Sequence, residues 1–335
     1  MKFDLKYFSP EIENLVHGYE KYDFRKLTLT TAKEALNESL FEFYVGVYLE
    51  QPKQILSLSF LEKTIYENTI EKIRNKRFGF MNGCGKGINY FLINDNEQNQ
   101  YVEKILDELF ENTHLKQFLQ CRKDFQETDL SLSLGSTGVL LWLLRMIERC
   151  KKDKRIYQYV HKLKALFYQT IQCMLAHTLP VSIERREHTF FPDYVKIQNA
   201  QTVYQIENSQ IWERGDLSKI LLLYRAGLIF NNPHWLKLAD NMGEFLSKVE
   251  KSPSTDFSIY QGSAGRALIF QKLYELTAKE IYRNAYIYGI EETYRNLLSN
   301  KSKKPESLLF GELGAYLTLK SSIEGNFKWA EIILL

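Results

Sequence analysis

Apolar residues recur at the helical spacing i, i+3, i+4 and i+7 along most of the chain, and strict alternation is scarce. Ser9 before Pro10 marks one predicted helix start, and Thr31 with Glu34 has the spacing of a capping box at another. The segments "QNQYVEKILDELFENT", "IYQYVHKLKALFYQTIQCMLAH", "PHWLKLADNMGEFLSKVE" and "AKEIYRNAYIYGIEETYRNLLS" read as amphipathic helices. A short extended piece is expected only around Phe190 to Ile197. Polar breaks near 149–155, 249–256 and 299–307 read as loops between helices, and their charge runs as solvated turns. None is long enough for a domain linker, so residues 1–335 are expected to form one all-α domain.

A glycine block repeats through this pattern. "LGSTGVLLWLL" holds Gly135 and Gly138, "YQGSAGRALIFQKLY" holds Gly262 and Gly265, and "FGELGAYLTLKS" holds Gly311 and Gly314. "WERGDLSKILLLYRAG" has Gly215, with Ser218 where a second glycine would stand, and "FMNGCGKGINYFL" is a variant with Gly83, Gly85 and Gly87. The interval is roughly 50 residues, once about 80, the length of a helical hairpin with its loops. Glycine is a poor helix former, so its place before each apolar run points to a helix start with close backbone approach. Such starts also leave amides and the positive dipole end facing a possible site. Tight packing alone would explain the glycines equally well.

Composition removes several function classes. The net charge of +3, from 44 basic and 41 acidic residues, gives no electrostatic footprint for nucleic acid or an anionic membrane. The four cysteines, Cys84, Cys121, Cys150 and Cys173, are scattered, which argues against a disulfide framework or zinc knuckle. The N-terminal stretch has no apolar signal core, and no apolar run approaches membrane-spanning length. A cytoplasmic protein without membrane insertion is expected. The 21 Tyr and 21 Phe read first as core, although aromatic helices could also line a peptide groove.

The five blocks and their order resemble the lanthionine synthetase C-like family. "YQGSAG" is similar to that family's "CHGxAG" block, "WERGD" to its "WCYGD" block, and "LLFGELGAYLTL" to its last glycine-rich block. The tail "FKWAEIILL" also looks like endings in the family. The resemblance implies an α/α toroid of inner and outer helices, with glycine-rich loops around a central site. It implies action on a dehydrated precursor peptide, in which a cysteine thiol adds to a dehydrated residue to close a thioether ring. The family's zinc, held by a cysteine and a Cys-His pair, turns that thiol into a thiolate.

Each aligned ligand position differs here. Glu213 stands at the first cysteine, and Tyr260 and Gln261 replace the Cys-His pair. Zinc prefers thiolate and imidazole, so the resemblance implies a family member without metal or other cofactor. Glu213 is then a candidate general base and Arg214 a cation beside the developing enolate. His177 is the positional candidate for the family's acid/base histidine, against the plainer reading of a capping or surface histidine. Trp212, Asp216, Tyr260, Gln261 and Glu312 lie in the aligned blocks as candidate substrate-binding residues. For Trp212 the plainer reading is a packing anchor, for Asp216 a helix-start residue, and for Cys84 an inert buried thiol. Three functions remain open at this point. One is a metal-free, cyclase-like protein that binds a dehydrated precursor. Another is a non-catalytic partner of a lanthipeptide dehydratase. The last is a toroidal glycoside hydrolase using a carboxylate pair from Glu213, Asp216 and Glu312.

Overall fold

The structure is a computed structural model that describes residues 58–93, 100–111, 115, 127–183, 186–191, 194–198, 201–205, 210–213, 215–248, 255–302 and 307–335. The predicted helix starts at Ser9 and Thr31 lie outside the described residues, as do Arg214 and Cys121. Two compact units are present.

The first unit holds α1 (Leu58–Arg74) from Glu62 on, α2 (Gly85–Ile93), α3 (Gln100–Glu111), α4 (Ser136–Lys152), α5 (Val160–Leu175), α6 (Asp216–Phe230) and α7 (Pro233–Lys248). The second holds α8 (Ser263–Thr277), α9 (Glu280–Ser299) and α10 (Glu312–Glu324), followed by a 3-10 segment at Lys328–Ile333. Each predicted amphipathic segment is a helix: α3, α5, α7 and α9.

The helices are of two kinds. In α4, α6, α8 and α10 burial runs round the helix; Asp216 to Tyr224, Ser263 to Gln271 and Leu313 to Leu319 are buried without a break. In α7 only Trp235, Ala239, Met242, Gly243 and Leu246 are buried, a single stripe with a solvated opposite face. The two kinds pair as hairpins, α4 with α5, α6 with α7 and α8 with α9. Asn231, in the left-handed conformation, ends α6, and Pro233 at once opens α7.

Between α5 and α6 the chain departs from the expected helical pattern. β1 (Leu179–Ile183) pairs antiparallel with β2 (Arg186–Phe190), and β3 (Tyr194–Gln198) pairs with β4 (Gln201–Gln205). The extended piece expected at Phe190 to Ile197 falls on parts of β2 and β3, so extended structure was placed correctly but underestimated. The strands form two separate two-stranded ladders. Among the described residues no helix is long and apolar enough to cross a membrane.

Candidate functional site

The glycine blocks are helix starts of one design. Gly135, Gly215, Gly262 and Gly311 are the N-caps of α4, α6, α8 and α10, and α2 opens at Gly85. Each glycine block therefore falls at a helix start, as its place before an apolar run implied. None of the four capping glycines gives a side-chain cap, so the amides of each first turn need other partners.

A serine four residues before the cap glycine supplies part of the answer. Ser131, Ser258 and Ser307 each accept a hydrogen bond at Oγ from the amide three residues on, those of Leu134, Gln261 and Phe310, at 3.1, 3.3 and 3.3 Å. Their carbonyls accept from the amides of Gly135, Gly262 and Gly311. The shared signature is therefore S-x-x-x-G, as in "SLSLG", "SIYQG" and "SLLFG". The α6 loop keeps the backbone bond, from Gly215 N to Ile211 O at 3.1 Å, but carries Ile211 in place of serine.

Successive loops are also joined by their main chains. In the first unit Met81 N donates to Ser133 O at 2.7 Å, and Leu132 N donates to Glu213 O at 2.6 Å. In the second unit Tyr260 N donates to Leu309 O at 2.9 Å. Each acceptor is the third residue of its loop, which is the position occupied by Ser133, Glu213, Tyr260 and Leu309.

In the first unit the variable positions carry buried polar groups. Glu213 is only 3% exposed, and the Ser133 hydroxyl donates to its Oε1 at 2.6 Å. Asp216 opens α6 and pairs with Lys219 Nζ at 3.4 Å, both side chains buried, while Lys219 Nζ also lies 5.5 Å from the centre of the Phe191 ring. Trp212 is fully buried beneath the loop. His177 lies in the turn after α5, half-buried, with its amide donating to Met174 O.

In the second unit Leu309 is buried, and Tyr260, Gln261 and Phe310 are more exposed than Ser133 and Glu213. Tyr260 is half-buried and its ring packs against Phe310, with centroids 4.6 Å apart. Gln261 is exposed, and Glu312 accepts from the Ser302 amide at 3.2 Å. Behind the loop Arg266 is buried and ion-paired with Glu292 of α9. Burial pushes the Arg266 guanidinium down from its ordinary pKa.

The structure thus places Trp212, Glu213 and Asp216 at the α6 start, Tyr260 and Gln261 at the α8 start, and Glu312 at the α10 start. Tyr260 meets the loop that leads into Glu312. Ser133, Lys219 and Arg266 went unnoticed in the sequence. The repeated S-x-x-x-G would have pointed to Ser131, Ser258 and Ser307 but not to Ser133, and the spacing of four residues after Gly215 and Gly262 to the two cations. Cys84 is fully buried, and burial pushes its thiol up to about 12, so it is no nucleophile near neutral pH.

Comparison with solved structures shows the fold. Nisin cyclase matches with a TM-score of 0.69 over 99% of this chain and 88% of its own, at 15% identity. The architecture is therefore all-α, an α/α toroid, with the two β-hairpins as an addition. The chain belongs to the lanthionine synthetase C-like protein family, whose model matches residues 44–332. Among curated protein sequences none matches. The family's zinc can be tested against the donors present. A carboxylate, a phenol and an amide stand at the positions that the sequence aligns with thiolates and imidazole, and the carboxylate already accepts a hydrogen bond from the Ser133 hydroxyl. Among the described residues no group of three or more His, Cys, Asp or Glu is placed to hold a metal. This donor set does not fit zinc.

Proposed function

We propose that the protein acts in lanthipeptide-type modification in the cytoplasm, binding a dehydrated precursor peptide at its motif loops and promoting thioether closure without zinc. The observation that carries this reading is Glu213. The position that aligns with the family's first cysteine ligand holds a buried carboxylate hydrogen-bonded to Ser133, which supports closure without a metal.

Without a metal, a substrate thiol with a pKa near ~8.5 is mostly protonated at pH 7, so closure needs help with the proton. In the step, the thiol proton leaves, sulfur bonds to the β-carbon of the dehydrated residue, and the π-electrons move toward the carbonyl oxygen as an enolate. The α-carbon then takes up a proton. Glu213 and His177 are the proposed proton-handling groups, and Arg214 the cation for the enolate. Trp212, Asp216, Tyr260, Gln261 and Glu312 are the proposed substrate-binding residues.

One observation favours a second reading, in which the protein is a non-catalytic partner that presents the peptide to a dehydratase: Glu213 is buried and already engaged. A sugar-cleaving role loses its carboxylate pair, because Asp216 is held by Lys219 and Glu312 accepts from an amide.

The test uses protein purified without chelators and a dehydrated precursor peptide. Metal analysis is expected to find well below one zinc per chain, and ring closure, followed by loss of free thiol, is expected to be indifferent to added chelator. Peptide binding without acceleration would establish the partner reading. No binding, or about one zinc per chain lost in Glu213→Ala, would overturn the proposal.

A further inference from the structure

The loop before α6 departs from its three relatives at its first position, and the departure has a structural counterpart. In the loops before α4, α8 and α10 a serine braces the turn from within, holding the amide three residues on. Ile211 offers no such hydroxyl. The same loop is also held by a side chain from its neighbour, through Ser133 Oγ to Glu213 Oε1 at 2.6 Å. That contact lies beside the bond from Leu132 N to Glu213 O, so two parallel bonds fasten one loop to the other. A hydrogen bond from a hydroxyl to a carboxylate is among the stronger neutral-to-charged contacts, and Ser133 and Glu213 are both almost fully buried.

We propose that Ser133 and Glu213 form an external brace that replaces the missing internal serine, and that Ser133 is a positioning residue for the loop that carries Glu213. One carboxylate oxygen of Glu213 thereby ties its loop to the neighbouring one. The consequence for peptide handling rests on the precursor-binding reading above; the brace itself does not.

Hydrogen exchange on the intact protein tests the brace without any peptide. Ser133→Ala and Glu213→Ala are each expected to speed exchange across residues 211–217 by about tenfold or more, and the double variant no further, because both remove one contact. Glu213→Gln keeps a carbonyl acceptor for the hydroxyl and is expected to restore most of the protection. Ile211→Ser, added to Ser133→Ala, is expected to recover protection by restoring the internal brace. Unchanged exchange in Ser133→Ala, or additive effects in the double variant, would overturn the proposal. With the dehydrated precursor, Ser133→Ala is expected to slow ring closure, and Ile211→Ser added to it to restore the rate, because the turn that carries Glu213 is held again. Ring closure in Ser133→Ala as fast as in the parent protein, with exchange faster, would overturn the positioning role. Failure of the parent protein to bind peptide would overturn the proposed function, while the exchange data still decide the brace.

Discussion

The loops of the two units share a backbone and differ in what they do with it. Before α4 and α6 the third loop position carries Ser133 and Glu213, buried and bonded to each other. Before α8 and α10 the corresponding region carries Tyr260 and Phe310, ring against ring and partly exposed. The serine brace, the cap glycine and the main-chain bond to the next loop recur in both units. The scaffold is thus fixed by a few small residues, which leaves the third and fourth positions free to change chemistry without changing the turn. That freedom lets one turn display different side chains without a change of backbone.

The contrast extends one turn into the buried helices. Lys219 and Arg266 both stand four residues after the cap glycine. Lys219 is paired within its own helix, to Asp216. Arg266 reaches across to Glu292 on α9. Removing one partner of a buried pair leaves the other charge uncompensated, which costs about 3–5 kcal/mol. Arg266→Ala is therefore expected to lower stability by about that amount in denaturant unfolding. Lys219→Met should cost less, about 1–2 kcal/mol, because Asp216 stays at a helix N-terminus where free amides and the dipole favour a carboxylate. Equal losses would erase the distinction between the two units. Replacing Arg266 and Glu292 together by apolar residues should recover much of the loss.

The shared scaffold predicts equal effects where the helix-pair contrast predicts unequal ones. A Cβ on Gly138 would run into the carbonyl of Leu132, and one on Gly314 into the carbonyl of Leu308. In both cases the obstacle is the backbone of the preceding loop, six residues earlier, which cannot move aside as a side chain end could. Gly138→Ala and Gly314→Ala are each expected to cost about 3 kcal/mol by thermal or denaturant unfolding, within the range for overpacking at a rigid site. A mild effect at one position and a severe one at the other would break the equivalence of the loops.

The glycine blocks were legible because a poor helix former before an apolar run violates local propensity, and such violations point to a backbone requirement. Gly135, Gly215, Gly262 and Gly311 mark the caps for that reason. The one-sided helices were legible from their stripe. The serines were not, since a hydroxyl that braces a turn leaves no period, and Ser131, Ser258 and Ser307 look like ordinary loop serines until aligned on their glycines. Lys219 and Arg266 were hidden differently. A charge in an apolar run reads as a solvated position, and only the structure supplies Asp216 and Glu292 as partners. The two hairpins between α5 and α6 are built from five-residue strands without an Asn-Gly or Asp-Gly turn, so neither length nor turn chemistry announced them.

The aromatic pair sharpens the comparison on its functional side. Tyr260 and Phe310 are not closed into the core; Phe310 is 38% exposed. Tyr260→Ala and Phe310→Ala should each lower stability by only about 1 kcal/mol, the scale of one aromatic contact. Under the proposed function the same changes should weaken binding of a dehydrated precursor in an isothermal titration. Stability loss without any change in peptide affinity would assign the pair to packing alone.

The smallest effects are expected at the serine braces, and their uniformity is the point. Ser131, Ser258 and Ser307 each accept one backbone amide at 3.1 to 3.3 Å. A single hydrogen bond between neutral groups contributes about 0.5–1.5 kcal/mol net, because the unfolded chain bonds to water instead. Alanine at any of the three should therefore cost about 1 kcal/mol, with the three values close together, since burial and geometry are alike. The loss should fall on the unfolding free energy, with the denaturant slope unchanged, because the fold and its buried surface remain the same. A spread of several kcal/mol among the three variants would mean that the loops resemble one another in sequence but carry different loads. Agreement would show that the repeated turn is one structural unit, and that the chemistry which separates the two regions resides in the residues it displays.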